Sequence, residues 1–233
     1  MNKGIYIALS GAVLKNMQME IISQNLANAA STAYKKDKIS FKDYLFPITQ
    51  ESTDGRAMSE LSIVKTDFTE GSMIKTGNTL DIAIDGKGFI SLEGGFYTRR
   101  GDLKKSSDGY LTAFNGFKVL GNAGPIHIPE GTVQINNNGD VFVNGLLIDT
   151  IRITDFNSTE SLVRAGDSLF KTDEKGFKAN AFVRQAHLEA SNVDIIREMV
   201  SIIETMREFE TFQKTIRAFD EASEKINNEL GRF

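Results

Sequence analysis

From Val193 to Leu230 the chain has neither glycine nor proline, and large apolar side chains recur at Ile195, Met199, Ile202, Met206, Phe209, Phe212, Ile216, Phe219, Ile226 and Leu230. With Ser223 filling one slot, the spacings read 4-3-4-3-3-4-3-4-3-4. That is a heptad-like stripe with one local phase shift, and it demands a long helix with another helix against it. At 1.5 Å per residue such a helix is roughly 57 Å long. The other end of the chain mirrors it. Ile5, Leu9, Ala12, Met19, Ile22 and Leu26 form one helical stripe, and Ile7, Leu14, Met17 and Ile21 form a second. One partner helix cannot cover two stripes, so the surplus points to self-association.

Between these ends the composition changes. Residues 12–54 and 177–230 contain no glycine, whereas the middle has one every few residues. It alternates glycines with short runs such as "LDIAI", "GFISL", "VQIN", "DVFVNG" and "LIDTIRI". Short β-branched and aromatic runs bounded by Gly, Asn or Asp are the mark of strands joined by tight turns. "SSDGYL", "NNNGDV" and "VNGLL" are three hairpin candidates, because Asp-Gly and Asn-Gly accept the positive φ of the primed turns. The expected fold is therefore α+β. Long N- and C-terminal helices pair as a coiled coil, with a central all-β domain inserted between them. The expected division is residues 1–33 with 190–233 for the helices, 34–75 for an extended arm and 76–189 for the β domain.

Few chemistries survive inspection. The net charge of −4 lacks the basic bias of a nucleic-acid binder. With no cysteine there is neither a disulfide nor a thiolate metal site. Asp81 and Asp85 form the one dense carboxylate pair, but in a strand residues four apart lie about 13 Å from each other. They are too far apart to share an ion, and Asp85-Gly86 reads as a turn. His127 and His187 stand alone, and no nucleophile elbow or phosphate-cradling glycine loop occurs. Arg100-Gly101-Asp102 spells an adhesion tripeptide inside a segment that already reads as strand-turn-strand. Lys35, Lys36, Lys38 and Lys42 alternate with Ile39 and Phe41 as a strand-like arm with one wet face. Lys3 and the uncharged run after it imitate a secretory signal, but helical apolar spacing continues past Lys15, so no cleaved signal is expected. No run approaches the roughly 18 apolar residues of a membrane span. Neither catalytic residues, cofactors nor metals are expected.

The first helix ends in "SQNLANAAST", whose small residues permit close approach and whose asparagines can satisfy backbone groups at a helix end. Ser23-Gln24-Asn25-Leu26-Ala27-Asn28 resembles the hallmark of the flagellar axial proteins, the basal-body rod and hook family. The resemblance continues through "KKDKISFKDYLF", "TGNTLDIAIDGKGFI", "YTRRGDLKKSSDGYL", "FNGFKVLGNAGPIHIP", "INNNGDVFVNG" and the segment from Leu188 to Glu221, across nearly the whole chain. Ser31, Ala33 and Tyr34 stand where the family usually has Thr, Gly and Phe; Gly takes positive φ most readily.

The resemblance implies a non-enzymatic structural subunit of the basal-body rod that assembles into a helical tube. The single compact β segment resembles rod subunits rather than hook proteins. It favours the proximal rod member adjoining the distal rod, with the distal rod protein or a hook-type protein as the alternative. An extracellular binding module and a β-domain hydrolase are the competing classes. The implied partners are copies of itself, neighbouring rod proteins and the flagellar type III export apparatus, with no nucleic acid and no membrane insertion. The implied location is the periplasm-spanning rod. The residues expected at the assembly interface are Ile5, Leu9, Ala12, Met19, Asn25, Leu26, Asn28, Ile195, Met199, Ile202, Met206, Phe209, Ile216 and Phe219.

Overall fold

In the computed structural model, which describes residues 2–39 and 64–230, helix α1 spans Asn2–Ala27 and helix α2 spans Ile195–Leu230. A β-rich region lies between them in sequence, so the α+β architecture with paired terminal helices is as the sequence predicts. The described residues divide into two compact units. The first contains α1, α2 and the short strand Asp37–Ile39, which pairs with Val64–Thr66. The second contains Asn28–Lys36 and Thr66–Val193. Phe41 and Lys42 of the expected arm lie outside the described residues.

The helices of the first unit run antiparallel. Gly4 faces the ring of Phe219 and Gly11 the ring of Phe212, while Lys15 forms an ion pair with Glu208. Each step along α1 is matched by an equal step back along α2. The two glycines make this approach possible, since a Cβ at Gly11 would lie 2.6 Å from the Phe212 ring. Asp194 opens α2, its Oδ1 accepting from Arg197 N (3.2 Å) at a terminus with unpaired N–H groups.

The second unit is built from short antiparallel strands. Its largest sheet has six, ordered Val163–Gly166, Leu169–Lys171, Phe96–Thr98, Phe89–Leu92, Ile153–Asp155 and Phe177–Lys178. All three predicted hairpins form. Lys104–Lys105 returns as Leu111–Thr112, Val133–Ile135 returns as Asp140–Val143, and that strand returns as Leu146–Thr150. In the last turn Asn144 and Gly145 both take positive φ, +52° and +81°, as a type I′ turn requires. Ile82, Ile84, Ile90, Leu92, Leu111, Val119 and Val141 fill the main core. Phe89, Phe156, Phe170 and Phe68 form a second, aromatic cluster with edge-on ring contacts.

Candidate assembly surface

The seam between α1 and α2 differs from the predicted stripe in one instructive way. From Ile202 to Ser223 the shielded positions of α2 are Ile202, Thr205, Phe209, Phe212, Ile216, Phe219 and Ser223, spaced 3-4-3-4-3-4. The phase shift in the apolar pattern disappears because Thr205 takes the slot that the sequence reading gave to Met206. Thr205 is almost fully buried, and its hydroxyl donates to Ser201 O (2.7 Å), so the polar group is satisfied within its own helix. Counting heptads back from Phe209 would have found it; following hydrophobicity did not.

The residues expected at the interface accordingly fall into two sets. On α1, Ala12 is buried and Ile5, Met19 and Leu26 are half-buried, whereas Leu9 is exposed. On α2, Ile202, Phe209, Ile216 and Phe219 are half-buried, but Ile195, Met199 and Met206 are exposed. These three do not share the intramolecular seam with Phe209. They belong to an open apolar face completed by Ile196, Val200 and Ile203. The first half of α1 presents a similar open face made of Tyr6, Ile7, Leu9 and Val13. Ile196 is 75% exposed and Tyr6 66%, values that a folded monomer gains nothing by maintaining.

Asn25 is buried near the end of α1, and its amide forms two bonds with the backbone of Asp37. Its Nδ2 donates to Asp37 O and its Oδ1 accepts from Asp37 N, both at 2.9 Å. The asparagine thus stands in for a strand partner as the chain leaves the helix. Asn28 lies in the second unit, where its carbonyl oxygen accepts from Ser31 N (3.0 Å).

In the second unit the segment after α1 and the segment before α2 are fastened together by a buried cluster. Glu189 Oε1 accepts from Lys35 Nζ (2.6 Å) and Gly71 N (3.0 Å), and Oε2 accepts from Arg99 Nε (2.9 Å). All three side chains are almost fully enclosed. Lys35 is therefore not on a wet face, as its alternation with apolar residues implied, but is the most enclosed cation of the unit. Two cations against one anion leave a positive excess, which carbonyl oxygens solvate. Arg99 also donates to Gly86 O (2.6 Å), Gly88 O (2.9 Å) and Ile84 O (3.1 Å), and Lys35 to Thr69 O (2.7 Å). Burial alone would raise the pKa of Glu189, but the charges of Arg99 and Lys35 outweigh it and hold the carboxyl below its usual range. Burial pushes the Lys35 amine down, against the pull of Glu189.

Backbone pairing completes the fastening. Ala33 N donates to Glu189 O (2.8 Å), Asn192 N donates to Tyr34 O (3.2 Å), and Asn192 Oδ1 accepts from Lys36 N (2.8 Å). Ala33 itself is fully buried at φ +52°, so the chain makes the left-handed bend without glycine.

The other candidates have partners of their own. Asp81 is held by Asn78 Nδ2 (2.9 Å), whereas Asp85 is bound by Arg184 across the strand pair. The two carboxylates do not converge. His127 stacks edge-on with Tyr110, and His187 Nδ1 contacts Gln185 O (2.7 Å). Arg100 forms a bidentate pair with Asp102 (2.7 and 2.9 Å) and lies 3.7 Å above the Phe114 ring, so the tripeptide is folded upon itself rather than presented. Among the described residues no group of three His, Asp or Glu is placed to hold a metal ion.

Residues 184–229 match the model for the flagellar basal body rod FlgEFG protein C-terminal, and residues 83–143 match that for the flagellar hook protein FlgE/F/G D1 domain. The chain is 28% identical to the flagellar basal-body rod protein FlgG of Agrobacterium fabrum, over 98% of this chain and 99% of that protein. It is 29% identical to FlgG of Borreliella burgdorferi over 98% of each chain, and 26% identical to the rod protein FlgF of Caulobacter vibrioides over the full length of both.

Proposed function

We infer that this chain, which belongs to the flagellar basal-body rod and hook protein family, is a structural, non-enzymatic subunit of the flagellar rod whose terminal helices pack against other subunits to build a torque-transmitting tube. The observation that carries the reading is the open apolar face on each helix of a hairpin whose own seam is already filled. Such faces are stable only when covered, and burying each large side chain contributes roughly 2 kcal/mol. No helix among the described residues is long and apolar enough to cross a membrane. Copies of the same chain and neighbouring rod proteins are the partners this reading assigns, with delivery by the flagellar type III export apparatus and without a cleaved signal.

Within the rod we place the chain beside the distal segment. The alignments with FlgF proteins extend over 250 and 243 positions, those with FlgG over 257 to 267, so this chain of 233 residues accommodates the FlgF pattern with fewer gaps. The test is complementation. Cells lacking the chromosomal copy should regain motility with the wild-type chain, and labelled protein should localise to isolated basal bodies between the innermost rod and the distal rod. Label confined to the distal rod would move the chain to the FlgG position, and motility unaffected by the deletion would remove the reading.

A further inference from the structure

We propose that Met199 and Met206 are the oxidation-sensitive sites of this chain, and that converting their thioethers to sulfoxides closes the open apolar face of α2 to association. The first half of the proposal concerns a single copy. The second rests on the reading of that face as an assembling surface.

Exposure singles the two out. The sequence has seven methionines and no cysteine, so thioethers are its only reduced sulfur. Among the described residues Met17, Met19 and Met73 are half-buried, whereas Met199 is 49% exposed and Met206 52%. Sulfur oxidation follows access to solvent, so a two-electron oxidant of the peroxide class meets these two first. They stand seven residues apart on α2, two turns or about 10 Å, and therefore share one side of the helix.

The chemistry inverts the character of the site. A sulfur lone pair attacks one peroxide oxygen, the O–O bond breaks, an S–O bond forms, and the other oxygen leaves as water. Sulfur loses two electrons and the peroxide gains them. A flexible, nearly apolar side chain thereby becomes a polar one with a strong acceptor. Ile195, Ile196, Val200 and Ile203 complete the face, and none of their side chains has a hydrogen to donate. The N–H groups of the helix backbone are already engaged within the helix. Covering the oxidised face therefore strips water from two acceptors that their own helix cannot satisfy.

The helical hairpin itself is spared. From Ile202 to Ser223 no shielded position of α2 is a methionine, because Thr205 holds the slot beside Met206. Sulfoxides at Met199 and Met206 stay on the solvent side of a folded monomer, where water satisfies them. The modification thus acts on association and leaves the seam between α1 and α2 closed.

Dilute full-length protein treated with limiting hydrogen peroxide and mapped by mass spectrometry tests the first half. Met199 and Met206 should be oxidised at least about threefold faster than Met17, Met19 and Met73. At a dose that modifies only the first two, circular dichroism should keep its helical signal. Association, read by light scattering at a concentration where the untreated chain self-associates, should fall at least about tenfold. Methionine sulfoxide reductases of both epimer specificities, supplied with a dithiol reductant, should restore it. Met199→Leu/Met206→Leu protein is its own reference, and the same dose should not change whatever association it shows. Oxidation spread evenly over the five methionines, association indifferent to the two sulfoxides, or equal peroxide sensitivity in the leucine variant would overturn the proposal. A full-length chain that never self-associates would instead remove the assembly reading and the second half with it, while the order of oxidation still decides the first.

Discussion

At the scale of single residues, Glu189 shows how burial converts an ordinary side chain into a structural requirement. Its carboxylate faces two enclosed cations, Lys35 and Arg99, and accepts a third bond from Gly71 N. Glu189→Gln leaves both cations without a counter-charge and should destabilise the β unit by about 3–5 kcal/mol in denaturant titration. Lys35→Met should cost less, because Arg99 still neutralises Glu189 and the replacement suits a buried site. The pH dependence has a definite sign. A carboxyl held below its usual range stabilises the fold above its unfolded pKa, about 4.3, and that contribution is lost as pH falls through the lower folded value. The difference between wild type and Glu189→Gln should therefore shrink in acid and be constant near neutrality; a gap unchanged down to pH 2 would contradict the ion-pair account. Ala33 poses a different balance. Replacing it with Gly relieves a left-handed strain of roughly 1–2 kcal/mol but gives up a buried methyl and adds unfolded-state entropy, together of similar size. Ala33→Gly should be neutral within about 1 kcal/mol, whereas Ala33→Val, branched and buried at φ +52°, should be severely destabilising by thermal melting.

At the scale of elements, α2 has a shielded seam on one face and an open apolar face on another, and adjacent residues separate them. Thr205 is in the intramolecular seam and Met206 is 52% exposed. Thr205→Asp should loosen the helical hairpin, because it places a charge in an enclosed site, a change of several kcal/mol. Met206→Asp should leave the monomer's helix pairing intact, by circular dichroism and amide exchange, and weaken assembly alone. Equal loss of helix pairing in both variants would mean that Met206 is not on a separate face. Phe209, which the sequence placed in one continuous seam with Met199 and Met206, is half-buried while those two are exposed. The glycines of α1 set the approach distance of the same pair. Gly11→Leu must displace the Phe212 ring and should cost about 1–3 kcal/mol despite the better helix propensity of leucine.

At the scale of the whole molecule, what could be read from sequence was what is local in sequence. Both helices and three hairpins depend on spacings of a few residues, so periodicity and Asn-Gly or Asp-Gly turns revealed them, and the helix pairing followed from each stripe's need for a cover rather than from any contact. The Glu189 cluster could not be found that way, since its partners are 154 and 90 positions away along the chain. Lys35 sat in a pattern of alternating charge that elsewhere means a wet strand face, and nothing nearby indicated a buried acid. Thr205 escaped because hydrophobicity marks a seam only where its residues are apolar. The same contrast makes the boundaries of the β unit testable. Periodicity suggests residues 76–189, but that fragment lacks Lys35 and Gly71 beside Glu189, Phe68 of the aromatic cluster, and Met73–Lys75, the strand paired with His187–Glu189. Residues 28–193 restore all of these. Both fragments should show a β-type spectrum, because the main core of Ile82, Ile90, Leu111 and Val141 is common to them. The longer fragment should melt cooperatively and roughly 10 °C or more above the shorter one, the shift expected when about 3 kcal/mol of packing and ion pairing is regained in a domain of this size. Adding Glu189→Gln to each fragment identifies the source. The substitution should lower the melting temperature of 28–193 more than that of 76–189, where only Arg99 remains to be left unpaired. Equal melting temperatures for the two unsubstituted fragments would show that the segment after α1 contributes nothing to the β unit, and that the cluster around Glu189 is a passive contact.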